Sequence, residues 1–233
     1  MNKFDIRAFA DFCREKLDFA DANLGDEYYY QSLPLCVIDA VFSIGVNYTS
    51  TENTVKKFCE YFNLQRLSQV RYPDKFTQLS ITEFVEIYIK YDSEWLSEQV
   101  YRNRQRTSTR SGILKSEAVL MFSKTLLEYE VDYFQDVEKI IGNKEFESSI
   151  KKIPGQGSGI SLSYFYMLAG SDEYVKPDRM IARFIWSALH QSFSVEESQD
   201  LVMEACQILI EDYPNLTPRA LDHMIWNYQR EQI

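Results

Sequence analysis

The chain has 233 residues, 45% of them hydrophobic, and a formal net charge of −10. That length suffices for one large domain or two small lobes, and the charge counts against nonspecific nucleic-acid binding over most of the surface. No run of about eighteen apolar residues occurs and the N-terminus lacks the apolar core of a signal peptide, so a cytoplasmic protein without a membrane span is expected.

Eight Gly and six Pro favour long helices over a loop-rich sandwich. Phe9, Phe12, Cys13 and Leu17 fall at helical spacing. Residues 18–32 are acidic and tyrosine-rich, and read as a connector. Leu33 to Val46 is apolar nearly all round and reads as a buried helix. Asn47-Tyr48-Thr49-Ser50 interrupts it, and Thr51 to Phe62 resumes helical spacing. Ser80-Ile81-Thr82-Glu83 is a capping box that opens a helix to Tyr91. A short helix follows over 93–101, and another runs from Ile113 to Tyr129. Lys144 to Lys152 precedes the stretch Ile153-Pro154-Gly155-Gln156-Gly157. Ser158 can cap the next helix, which ends at Gly170. Pro177 suits the first turn of a helix to Leu189. Ser194-Val195-Glu196-Glu197 is a second capping box, and Thr217-Pro218 starts the last helix. No segment alternates as a strand, so the expected class is all-α with about ten helices.

Four cysteines (Cys13, Cys36, Cys59, Cys206) are scattered without a C-x-x-C pair. They read as reduced core residues, not as a disulfide frame or a metal site. His190 and His223 are too few and too isolated for zinc. The charge is uneven. Residues 100–125 carry Arg102, Arg104, Arg106, Arg110, Lys115 and Lys124 against Glu117. This is either a solvated basic helix end or the one nucleic-acid face of an acidic body.

Gly155 and Gly157 allow positive φ and close approach of backbone to a partner. The helix that follows aims its first N–H groups at the same spot. The segment is a tight turn between core helices or a seat for a phosphate. Asp178, about twenty residues on, is a helix cap or a carboxylate available for chemistry on what that backbone carries.

These residues resemble the helix-hairpin-helix DNA glycosylase superfamily, in that family's order. Leu35 to Val46 with Thr51 to Phe58 is similar to its early helix pair. Val100-Tyr101-Arg102-Asn103 through Gly112-Ile113-Leu114-Lys115 is similar to its basic segment, and Ile153-Pro154-Gly155-Gln156-Gly157 to its hairpin core. Asp178, Ile181 and Arg183 match the pattern around its essential aspartate. The resemblance spans about residues 33–190. It implies a two-lobed helical glycosylase-like fold with a helix-hairpin-helix motif. One lobe would comprise 33–172, the other 1–32 with 173–233, and the cleft between them would hold a flipped base.

The implied activity is excision of a modified or damaged base from double-stranded DNA by a monomer, in repair or in defence against modified phage DNA. Asp178 would stabilise the sugar cation and orient water. DNA would be held by Lys152, Gly155, Gln156, Gly157, Ser158, Gly159, Arg102, Arg104, Arg106, Arg110 and Lys115. Asn47 or Tyr48 would wedge into the gap left in the duplex. Tyr164, Tyr166 and Trp186 would stack on the base or, being aromatics on helices, belong to the core. Bifunctional members carry a nucleophilic lysine where this chain has Gly159, so no lyase step is expected. The family's four-cysteine iron–sulfur loop is missing, so no cluster is expected, and a monovalent cation at the hairpin is the one ion that the resemblance allows. The alternative is a non-catalytic DNA-binding or accessory protein with the same hairpin, and a third reading is a structural helical protein of a partner complex.

Overall fold

The computed structural model describes residues 3–20 and 29–232. It is all-helical, and no β-strand occurs among the described residues. The central part of the acidic connector, residues 21–28, lies outside them. No described helix is long and apolar enough to cross a membrane. The chain divides into two compact units, Asp26–Gly170 and Met1–Gly25 with Ser171–Ile233.

The 26–170 unit is built around α2 (Leu33–Phe42), whose ten residues are all buried. A helix apolar nearly all round must be covered on every side. Here α3 (Tyr48–Phe62), α6 (Lys115–Glu128) and α8 (Ile160–Leu168) pack against it. α4 (Ile81–Tyr91) starts at the expected capping box of Ser80 and Glu83. The short α5 (Ser93–Trp95) runs into a π-helical turn over Leu96–Val100, and α7 (Lys144–Lys151) precedes the hairpin. Phe42, Phe58, Phe84, Tyr88 and Tyr101 fill the space between α2, α3 and α4, with the Tyr88 and Tyr101 hydroxyls 2.7 Å apart.

In the other unit, α1 (Lys3–Lys16), α9 (Arg179–Leu189), α10 (Val195–Leu209) and α11 (Pro218–Glu231) enclose one core. Phe9, Cys13, Phe184, Leu201, Cys206 and Leu221 lie at its centre. All four cysteines of the chain are buried thiols.

Three helix starts differ from expectation, each for a local reason. Asn47 does not interrupt a helix but caps one: its side chain accepts from Ser50 N–H, so α3 begins at Tyr48. Gly159, at φ 76°, is the N-cap of α8, one residue after Ser158. Asp178, not Pro177, sets the start of α9, because its carboxylate takes the Met180 N–H at 2.7 Å.

Candidate functional site

The 26–170 unit brings the basic segment and the glycine hairpin together. Arg102 follows the π-helical turn with a left-handed φ of 47°, and beyond it burial alternates, Arg102, Arg104 and Arg106 being exposed and Asn103, Gln105 and Thr107 half-buried. That alternation is the two-residue period of extended backbone. A small antiparallel ladder holds it: Thr107 N–H donates to Ile113 C=O and Lys115 N–H to Gln105 C=O, both at 2.9 Å. The loop tip, Ser108 to Ser111, is exposed and carries Arg110.

The hairpin sits on this loop. Gly155 has φ 86°, and a Cβ there would lie 2.4 Å from Thr107 Cβ. Only glycine permits both the left-handed turn and that approach. Gly157 is different: it is exposed, its φ is not left-handed, and a Cβ there would meet nothing nearer than Lys151 C=O at 3.7 Å. Lys152 is exposed at the end of α7. Among the described residues no ion pair engages Arg102, Arg110 or Lys152, so these cations face solvent uncompensated. Arg104 is paired with Glu94 and Glu98, and Arg106 donates to Gly112 C=O at 2.8 Å.

Four residues expected to touch DNA or base have other work. Lys115 is 2% exposed, and its ammonium donates to Phe42 C=O, Ile44 C=O and Gln105 Oε1 at 2.7 to 3.0 Å. It closes the C-terminal end of α2 from inside and cannot reach a phosphate, while burial pushes its pKa down to about 8. Gln156 is fully buried and accepts from the Ser161 hydroxyl, so it holds the hairpin from beneath. Gly159 is buried as the cap of α8. Tyr166 is 1% exposed, with its hydroxyl on Ile140 C=O, and belongs to the core. Gly155, Gly157 and Ser158 remain exposed.

Asn47 and Tyr48 are exposed at the start of α3. Tyr164 points elsewhere, to a group the sequence reading passed over. Asp39 is fully buried on α2, and its Oδ2 accepts from Tyr30 OH at 2.7 Å and from Tyr164 OH at 3.4 Å. Burial pushes the Tyr30 hydroxyl well up, and Asp39, Tyr48 and Tyr164 add to it. The signal was present: Asp39 is the one charge in the ten residues LPLCVIDAVF. An open cavity of about 760 Å³ near Tyr72 and Phe76 lies apart from these groups; its amides are engaged internally, both Gln78 and Gln135 donating to Pro73 C=O.

In the other unit, Asp178 is half-buried at the start of α9. A buried carboxyl the sequence reading also missed, Asp222 of α11, accepts from Lys176 N–H at 2.9 Å. Burial, and then the charge of Asp178, push Asp222 up to about 8. The exposed side of α9 carries Arg179, Arg183 and Trp186, the last 52% exposed, and no ion pair engages either arginine among the described residues. No three metal-ligating side chains converge among the described residues.

A family model described as a domain of unknown function, DUF8548, matches residues 7–230. The chain belongs to the DUF8548 family. No curated protein and no solved structure matches it. The match runs through both units, so the arginine loop, the hairpin, Asp178 and Asp222 all lie within the DUF8548 region.

Proposed function

We propose that this protein is a monofunctional DNA glycosylase that hydrolyses the N-glycosidic bond of a modified or damaged base flipped from duplex DNA. One observation carries the reading furthest: a left-handed glycine hairpin seated on a loop that projects uncompensated arginines, in a chain of net charge −10. In so acidic a protein, a local surface of unpaired cations beside an exposed glycine backbone suits a polyanion backbone. Arg102, Arg110, Lys152 and Arg106 would hold phosphates, with Gly155, Gly157 and Ser158 offering close approach. Asp178 would carry the chemistry. As the glycosidic bond breaks, positive charge grows on the sugar, and a fixed carboxylate stabilises it and orients water for attack. No lyase step follows, because Gly159 offers no amine.

Incubating the protein with duplexes bearing alkylated, deaminated, oxidised or hypermodified bases, and weighing what is released, tests the reading. Asp178→Asn should lower release at least about 100-fold while DNA binding persists. Unchanged release would remove Asp178 from the chemistry.

A second reading, a DNA-binding protein without catalysis, has an observation of its own. The Asp178 carboxylate already has a structural task in the Met180 N–H it caps. Duplex binding without release of any base would favour it. Binding insensitive to salt would sink both readings, since neutralising three to five phosphates gives a slope of log K on log salt of roughly −3 to −5.

A further inference from the structure

Asp222 and Asp178 belong to one unit and to one hydrogen-bonded path. Asp222 Oδ1 accepts from Lys176 N–H at 2.9 Å. Lys176 C=O accepts from Asp178 N–H at 2.6 Å, closing a three-residue turn around Pro177. Asp178 Oδ1 then takes Met180 N–H at 2.7 Å and starts α9. The turn that presents Asp178 is thus tied to α11 from behind. Pro177 stiffens it, since its φ is fixed.

The surroundings set the charge of this pair. Asp222 is 7% exposed. Lys176 and Asp178 reach it from the turn before α9, and Arg219 from one turn earlier on α11. Arg219 is itself buried and pairs with Asp172 at 3.8 Å, so its charge is shared. His223, the next residue, is hydrogen-bonded to Asn227. Loss of water around Asp222 disfavours its ionised form, and the neighbouring Asp178 disfavours it further. Both effects favour the protonated carboxyl of Asp222.

We propose that Asp222 is the positioning residue of this site: its buried carboxyl, accepting from Lys176 N–H, pins the turn that presents Asp178. A sugar cation is best met by a single negative charge held in place. A second ionised carboxyl behind the turn adds a like charge next to the first and repels it. The effect on excision rests on the glycosylase reading, but the pairing of the two acids does not.

Carboxyl-carbon NMR of the whole protein, titrated with pH, tests the pairing without any substrate. One aspartate resonance should titrate near 8, vanish in Asp222→Asn, and move its midpoint downward in Asp178→Asn, where the like charge is gone. A midpoint for Asp222 in the ordinary carboxylate range, or one unmoved by Asp178→Asn, overturns the proposal whether or not a base is ever released. Asparagine keeps the acceptor for Lys176 N–H and cannot ionise, so this variant retains the tether and loses the titration. Where excision is observed, the wild-type rate should fall about tenfold between about pH 7 and about pH 9, and that of Asp222→Asn should stay level. An equal fall in both overturns the role of the charge. A coupled titration without base release sustains the pair and counts against the glycosylase.

Discussion

Lys115 in one unit and Asp222 in the other are buried ionisable groups, and the fold treats them oppositely. Lys115 meets three oxygen acceptors and keeps its charge in neutral solution, although burial brings its pKa down to about 8. Asp222 meets one backbone N–H, the charges of Lys176 and Arg219 are outweighed by burial and by Asp178, and its pKa is pushed up to about 8. An ammonium can satisfy three carbonyl-type acceptors at once, so a buried lysine ties separate segments together. A carboxyl beside another carboxyl does better uncharged. The first arrangement is structural glue, and the second couples a tether to a proton.

Removing Lys115 should destabilise the 26–170 unit at any pH where the lysine is charged. Lys115→Ala strands the carbonyls of Phe42 and Ile44 inside the 26–170 unit, at about 3 kcal/mol by denaturant unfolding. A loss under about 1 kcal/mol would mean that water replaces the ammonium and that the site is wetter than its 2% exposure indicates.

Asp222→Asn should reshape how stability depends on pH. The folded chain keeps the Asp222 proton up to about 8, whereas the unfolded chain loses it near 3.8. Between those values the folded state binds the extra proton, so this contribution is full at low pH and lost as pH rises through the folded pKa. The wild type should fall relative to Asp222→Asn by up to about 1.4 kcal/mol per pH unit across that window. Lys115 has the opposite sign: between about 8 and 10.5 the unfolded chain holds the extra proton, and stability rises with pH. Denaturant melts of both proteins at several pH values would separate the two slopes, and parallel curves would place Asp222 in an ordinary environment.

The two exposed hairpin glycines sharpen the picture within one unit. Gly155→Ala combines a left-handed φ with a clash against Thr107, and should cost about 2 kcal/mol of stability. Gly157→Ala has ordinary backbone and open space, so stability should hold to within about 0.5 kcal/mol. If the hairpin carries phosphate, Gly157→Val should weaken binding to all duplex sequences alike while the protein stays folded. Calorimetry and binding isotherms on the same samples distinguish a turn glycine from a phosphate seat.

Much of the helix inventory was legible because its signals are local. The boxes at Ser80 and Ser194 place their starts where the structure has them. The cap at Asp178 was legible too, as one of two readings. What was not legible depends on which elements meet. Lys115 reads as one more cation in a basic run until α2 is laid against α6. Gln156 and Tyr166 look as available in sequence as Ser158 and Trp186, and only packing separates them. Asp39 and Asp222 left a fainter mark: each is an acid on a buried helix face, Asp222 with Ile225 and Gln229 at i+3 and i+7. An acid in an apolar stripe is worth asking about, since burial of an unpaired charge is costly.

The smallest expected effects lie in the arginine loop, and they test whether its charges act singly. Arg104 is held by Glu94 and Glu98 at the base of the loop, whereas Arg110 stands at the tip with no ion pair among the described residues. Releasing counterions from DNA needs a cation not already neutralised. Arg110→Ala should therefore lower the slope of log K against log salt by about one, and Arg104→Ala by much less. Folding should hardly change in either, because exposed ion pairs contribute at most about 1 kcal/mol. Equal losses of slope would mean that Glu94 and Glu98 release Arg104 when DNA arrives. The double replacement Glu94→Gln, Glu98→Gln should then tighten binding, since it frees Arg104 in advance, whereas unchanged affinity would mean that DNA does not reach Arg104.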